Sequence, residues 1–462
     1  MNRLIVPGAG VAGLALVVSA SVLLPVQQPG PDVAPPDDRA RVAVACPTLA
    51  GTANPTTVAA GSPQANLTTA ALTDPTAQTA VAGTVALRDQ VPGPTLVAAP
   101  RQDVFSGTTR TAAATGSDRG LSMMSCTRPA ASHWFAGVTA SAAGAAELVL
   151  LNADNTDAAV DIAVHGESGR LPAPGSRGII VGARSSRVVP LGPLFTSEQP
   201  VSLHVTTSAG RVATAVRQRM LSGTAPAGSD WLPPTADPAT QVIIPGLPAG
   251  PGGRELVLLN PGERTASVAL TVLGSSGPTA IPGFETIDLP AGTSRSVPIG
   301  SALAQSAAGL RLTSEQPVTA AVLTSSGTNP AQSDSSTQVA TGALTGPGVL
   351  AVAPGGNVAP ALHVSNSSAT PTPARVLVTS ATGTVLIDTV VTVPGLANTS
   401  LTLPAAEAML VRVEPGTPGT LHASVAITRQ LGGVAGIASL AILPGAAATV
   451  LPPIREDPRV GS

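Results

Sequence analysis

The stretch ELVLLNPGERTASVALTVLGSSG, Glu255 to Gly277, sets the terms for the whole chain. Leu256-Val257-Leu258-Leu259 is a short apolar run closed by a turn at Asn260-Pro261-Gly262. Ala266-Ser267-Val268-Ala269-Leu270-Thr271-Val272 then alternates small or polar with apolar, and a Gly-Ser-Ser-Gly turn follows. A period of two with β-branched residues between Gly and Pro punctuation reads as strands, not helix. Further strands are expected at Thr286 to Leu289, Ser294 to Ile299, Gly309 to Leu312 and Val318 to Leu323. Short Val- and Thr-rich strands at intervals of about ten residues are the signature of an antiparallel sandwich. The best helix candidates, Gly300 to Ala308 and Pro404 to Leu410, span no more than about two turns each.

The same words recur along the chain. ELVLLN stands at Glu147 and Glu255, Pro190 of VVPLG matches Pro298 of SVPIG, and Gly169 matches Gly277, all at an offset of 108. Asn260, Gly277 and Pro298 match Asn366, Gly383 and Pro404 at an offset of 106. Landmarks that keep one offset across two steps indicate a tandem repeat. TSEQPV, at Thr196 to Val201 and Thr313 to Val318, breaks that register. It is turn chemistry used twice, before one strand in the first copy and between two strands in the second, and not a duplicated ligand site.

Composition narrows the fold further. At 462 residues the chain has room for several domains, and 43% hydrophobic residues against 11% charged and 1% aromatic mean that Val, Leu, Ile and Ala must fill the cores. Every basic residue is Arg, and the net charge of −2 leaves no electrostatic footprint for nucleic acid. Arg in place of Lys, with abundant Ala, Gly and Pro, resembles the coding bias of a GC-rich bacterium and says nothing of function.

Near the start, Gly8-Ala9-Gly10-Val11-Ala12-Gly13 matches G-x-G-x-x-G. A dinucleotide fold needs a helix with a polar face and a second strand after it. Instead Gly8 to Leu24 is apolar or small apart from Ser19 and Ser21, and PVQQPGPDVAPPDD follows, so neither nucleotide nor cofactor binding is expected. Residues 1–26, led by Arg3, read as a signal anchor or signal peptide that places the rest outside the cytoplasm. The expected organisation continues with a Pro-rich linker over 27–45, an N-terminal β domain over 46–131, sandwich repeats over 132–236, 237–345 and 346–453, and a tail over 454–462. In an oxidising compartment Cys46 and Cys126 are expected to form a disulfide that closes the N-terminal domain.

His133-Trp134-Phe135-Ala136-Gly137, then Leu148 to Asn152, then SEQPVTAAV from Ser314, resemble the W-F-x-G, L-x-L-x-N-P and S-x-x-P-V pattern of exported actinobacterial proteins in a family of unknown function. Asn-Pro is intact only at Asn260-Pro261; the other copies have Asn152-Ala153 and Asn366-Ser367. The resemblance implies an exported multi-sandwich architecture and no known activity. The expected fold is therefore all-β, tandem immunoglobulin-like antiparallel sandwiches, with a propeller-like closed array as the alternative.

No catalytic or metal site is expected. His133, His165, His204, His363 and His422 show no zinc-ligand spacing, and His204 and His422 fall on expected strands. G-x-S-x-G is missing, and S-x-x-K is impossible without Lys. Asp154, Asp157, Asp161 and Glu167 form the densest acidic cluster, but NADNTDAAVD lacks the Gly and terminal Glu of a calcium loop and reads as a polar hairpin. Trp134 and Trp231 could stack sugars, yet are expected to plug a sandwich end or a junction with the indole N–H on a carbonyl. Arg217 and Arg219 could meet an acidic envelope polymer, and are expected to be a solvated strand edge. These four are the candidate interaction residues. The expected function is a non-enzymatic structural or interaction protein of the cell envelope, touching the membrane through its first segment and an unknown envelope protein or polymer elsewhere. The alternatives are a cell-wall or carbohydrate-binding module and a glycosidase using carboxylates.

Overall fold

The computed structural model describes residues 41–444 apart from 50–54, 62–65, 82, 101–102, 142, 304 and 357. The Gly8–Gly13 motif, the expected anchor and the tail lie outside the described residues, as does the linker up to residue 40. Among the described residues no helix is long and apolar enough to cross a membrane.

The opening stretch folds into strands Arg254–Leu259, Ala266–Gly274 and Gly277–Ala280. Their two patterns have different causes. Ala266–Gly274 alternates because one face, Ala266, Val268, Leu270 and Val272, points into the sandwich core and the other does not. Leu256, Val257, Leu258 and Leu259 are all fully buried, so this strand is covered on both faces. Leu256 and Leu258 fill the core of their own unit, while Val257 joins the core of the preceding one with Phe135 and Val205.

That arrangement repeats. Each unit has a leading sheet, which holds its first strand, and a trailing sheet, which holds its last. In repeat 1 the leading order is Ser132–Val138, Val201–Ala209, Ala158–Gly166, Gly169–Leu171, and the trailing order is Ser185–Pro190, Gly144–Asn152, Ala213–Ser222, Ala225–Leu232. Repeats 2 and 3 follow the same plan. In repeat 2 one strand, Ala308–Ser325, serves both sheets. Its first half pairs with Ala266–Gly274 and its second half with Arg254–Leu259. The second TSEQPV is thus a corner within a continuous strand, where two separate strands were expected. In repeat 3 the sheets are joined where Gly348 and Val349 pair with Pro444 and Leu443.

The N-terminal unit is a fourth copy. Its leading sheet runs Arg41–Cys46, Thr95–Pro100, Thr68–Ala71, Asp74–Ala80, and its trailing sheet runs Val85–Asp89, Thr56–Gly61, Phe105–Ala113, Gly120–Ser125, the strand order of the other three. Its first strand begins at Arg41, inside the expected linker. Cys46 and Cys126 are bonded, with Cα atoms 4.5 Å apart, and cross-link the first strand to the end of the last.

The units close into a ring like the blades of a four-bladed propeller. The trailing sheet of each unit packs on the leading sheet of the one before it. Val149 and Leu151 of repeat 1 bury against Ala45, Leu72 and Leu96 of the N-terminal unit. Val58 and Ala60 of the N-terminal unit bury against Val349, Ala351 and Leu410 of repeat 3, which completes the circle. At the centre the four last strands, Gly120–Ser125, Ala225–Leu232, Ser335–Val339 and Val434–Pro444, pack against one another. Gly120, Gly228 and Gly436 start or enter their strands opposite Ala113, Met220 and Arg429, and in repeat 2 that position is Asp334, whose carbonyl accepts from Ser326 N–H. The Asp334 carboxylate accepts from the N–H of Leu121 (2.7 Å), Ser229 (3.3 Å) and Ile437 (3.0 Å), one from each of the other units. A Cβ at Gly120 or Gly228 would collide with that carboxylate, so these two glycines make room for the Asp334 side chain.

The helical expectations fare differently. Gly300–Leu303 is a single 3-10 turn, and residues 404–408 are irregular, with a strand starting at Met409. Pro404 and the short apolar spacing after it leave no stretch on which a helix could bury a stripe.

Candidate functional site

The leading sheet of repeat 1 turns one face into its core through Phe135, Leu203, Val205, Ile162 and Val164. The opposite face carries Trp134, His204 and Ala163, which sit side by side because His204 pairs with Trp134 on one strand and with Ala163 on the other. The indole and imidazole are stacked, centroids 3.5 Å apart and planes 6° from parallel. Ser132 Oγ meets His204 Nε2 at 2.9 Å and fixes the ring. Burial, then the neighbouring His165, brings the His204 imidazole down to about 4, so it is neutral at pH 7.

This row is particular to repeat 1. The register puts Ile243, Arg311 and Thr271 at the same places in repeat 2, and Val349, Arg412 and Leu377 in repeat 3. Ala163 is the smallest of its set, and beside it opens a cavity of about 420 Å³ lined by Trp134, His204, His165, Asp161, Arg170 and Arg177. A second hollow of about 310 Å³ continues it along Arg170, Leu171 and Pro172. The far wall belongs to repeat 2: Pro261 lines the cavity, and His165 Nδ1 donates to the Gly292 carbonyl at 2.9 Å. Arg170 and Arg177 are exposed and make no ion pair or hydrogen bond among the described residues. Asp161 spends one carboxylate oxygen on Gly178 N–H (2.7 Å). With His204 neutral, two guanidiniums and one carboxylate line the groove, and the negative charge of Asp237 also acts on the His204 ring.

Trp134 is thus the one expected interaction residue that reaches this groove. Trp231 is buried among Val149, Met124 and Ala215, and its indole N–H has no partner among the described residues in place of the expected carbonyl. Arg217 is 0% exposed, its guanidinium 5.3 Å from the centre of the Trp231 ring, and it donates to Asp118 (3.2 Å) and Ser229 Oγ (3.0 Å). Arg219 reaches the same Asp118 (2.7 Å) and Glu147 (2.6 Å). Burial opposes charge on Asp118, but Arg217 and Arg219 outweigh it and hold the carboxyl below its usual value. The expectation of a solvated edge fails because Ala213–Ser222 lies between two strands, and Asp118, in the hairpin of the N-terminal unit, covers it. Through Asp118 these arginines join the N-terminal unit to repeat 1.

The acidic cluster does not converge. Asp154 pairs with Arg211 (2.8 Å), Asp157 accepts from Ala183 N–H, and Asp161 lies in the groove. Among the described residues no group of His, Cys, Asp and Glu is placed to hold a metal ion. His133 donates to the Val212 carbonyl (2.7 Å), and His422 lies against Thr341 (3.0 Å). Sequence reasoning missed His204, Ala163, Arg170 and Arg177, because it looked for groups that recur in every copy. The available signal was the reverse: an aromatic and a histidine where the other copies have Ile243 and Arg311.

No curated protein matches the sequence. Among solved structures the chain is similar to the Streptomyces avermitilis alpha-L-rhamnosidase complexed with L-rhamnose, at 10% identity and a TM-score of 0.13, over 83% of this chain and 54% of that one. The chain spans about half the length of that enzyme. The match that does bear on kinship covers residues 76–404, from the N-terminal unit into repeat 3, and by it the chain belongs to the Family of unknown function (DUF5719).

Proposed function

We propose that this protein is a non-enzymatic interaction scaffold of an actinobacterial cell envelope, held outside the cytoplasm by residues 1–26. The observation that carries the reading is the groove of repeat 1, a cavity with two arginines uncommitted among the described residues and a stacked aromatic wall. Elsewhere on the ring, Asp118, Arg217 and Arg219 are engaged in holding the N-terminal unit to repeat 1. The Cys46–Cys126 bond supports an oxidising compartment. The apolar run from Gly8 to Leu24 supports export.

Fractionation of the native host, followed by photo-crosslinking from residues on the groove rim in intact cells, tests this reading. The expected result is protein in the envelope fraction, with Cys46 and Cys126 unreactive to thiol reagents before reduction, and crosslinks to an envelope polymer or protein. Recovery in the cytoplasm with reduced cysteines would contradict it.

A further inference from the structure

We propose that the repeat 1 groove binds an acidic saccharide, with a hexuronate ring against His204 and its carboxylate on Arg170 and Arg177. The inference rests on the reading of the chain as a binding scaffold and deepens it. The wall comes first. An imidazole backed at 3.5 Å by a parallel indole is a rigid, flat surface whose π-face attracts the polarised C–H groups of a pyranose. Trp134 braces the ring, and Ser132 holds its edge. The side of His204 away from Trp134 looks over Ala163, where a methyl group stands in place of the larger Thr271 or Leu377 of the other repeats. The resulting cavity, about 420 Å³, falls in the range of small-molecule sites.

Charge then selects the ligand. Arg170 and Arg177 offer planar guanidinium forks that match a carboxylate, and nothing among the described residues occupies them. Asp161, on the same wall, keeps one oxygen free of the Gly178 bond and is an acceptor for hydroxyls. An anion site beside a hydroxyl acceptor and a flat apolar wall fits a sugar acid. A dianionic phosphate would gain from the arginines but would face the Asp161 charge, and a neutral sugar would leave both arginines unused. The second hollow along Leu171 and Pro172 gives the neighbouring sugar of a chain a place to lie.

Calorimetric titration of the purified chain with tetragalacturonate tests the proposal, with maltotetraose, polyglutamate and a glycerol-phosphate polymer as comparisons. Tryptophan emission gives a second readout: Trp231 is buried, so a change reports Trp134. The expected result is saturable binding of tetragalacturonate alone, weakened about 100-fold by Arg170→Gln with Arg177→Gln. Both arginines are exposed, so the double variant should keep its melting temperature and circular dichroism. Ala163→Leu, which fills the cavity from its floor, should also abolish binding. Absence of binding, equal binding of maltotetraose, polyglutamate or the phosphate polymer, or binding unchanged in the double variant would each overturn the proposal. Such a failure would leave the scaffold reading standing, because cell fractionation and crosslinking test that reading without reference to uronates.

Discussion

Asn152, Asn260 and Asn366 show what a repeat landmark does at the scale of one side chain. Each is buried at the end of the second strand of its unit and donates its amide to the carbonyl four residues on, Thr156, Arg264 or Thr370, at 2.7 to 2.8 Å. The same amide reaches across to the carbonyls of Val181, Leu289 or Val393, and the side-chain oxygen accepts from the N–H two residues on. One residue thus closes a turn and fastens it to a distant strand, which needs a donor and an acceptor on one short planar group. Asn260→Asp keeps the shape but turns an acceptor toward three carbonyls. It is expected to lower the stability of the whole ring by about 2–4 kcal/mol in urea unfolding, whereas Glu263→Gln in the same turn should change it by less than about 0.5 kcal/mol.

Strands were legible in the sequence wherever one face is wet and the other dry, as in Ala266–Gly274. What the continuous apolar runs meant was harder to read. LVLL at Leu148–Leu151 and Leu256–Leu259 has no period, because its second face is covered by the preceding unit, and a local pattern cannot name a partner in another unit. The fourth copy was hidden for a related reason. The N-terminal unit keeps the strand order but fills it with Ala and Thr, so no word of the other copies survives in it. The groove was half legible: Trp134 is conspicuous in a chain with two tryptophans, but Ala163 matters only through the room it leaves. One element differs from its counterparts in the other units. Val385–Val393 is a nine-residue edge strand with Val385 and Val390 56% and 63% exposed, beside short strands such as Gly169–Leu171 elsewhere. An open apolar edge invites pairing between molecules. Val385→Lys with Val390→Thr is expected to shift the urea midpoint by less than about 0.5 kcal/mol in free energy while reducing light scattering of concentrated, warmed protein; unchanged scattering would show that this edge is not the site of association.

At the scale of the whole molecule, four modest sandwiches become one body because neither face of a trailing sheet can be exposed to water without loss. The junctions between units also bury histidines. His363 and His422 are brought down to about 4 by burial, below the value near 6.5 of an unfolded chain. A depressed histidine stabilises the fold fully above pH 6.5 and loses that contribution as pH falls toward 4, by on the order of 3 kcal/mol for each. Burial raises Asp230 and Asp334, which act in the opposite sense, so the variant isolates the effect: His422→Asn should lose less stability than the natural chain between pH 7 and pH 4.5. A parallel loss in both would assign the acid sensitivity elsewhere. The ring itself stands or falls on Asp334, which takes N–H groups from three units at once. Removing its carboxylate orphans those donors, each worth about 1–3 kcal/mol when buried. Native-state hydrogen exchange of the natural chain and of Asp334→Ala is the most direct measurement. A closed ring predicts that the amides of Leu121, Ser229 and Ile437 are among the slowest to exchange and lose protection together in the variant. Loss confined to Ser229, with Leu121 and Ile437 as protected as before, would mean that the first and last units do not meet at the axis.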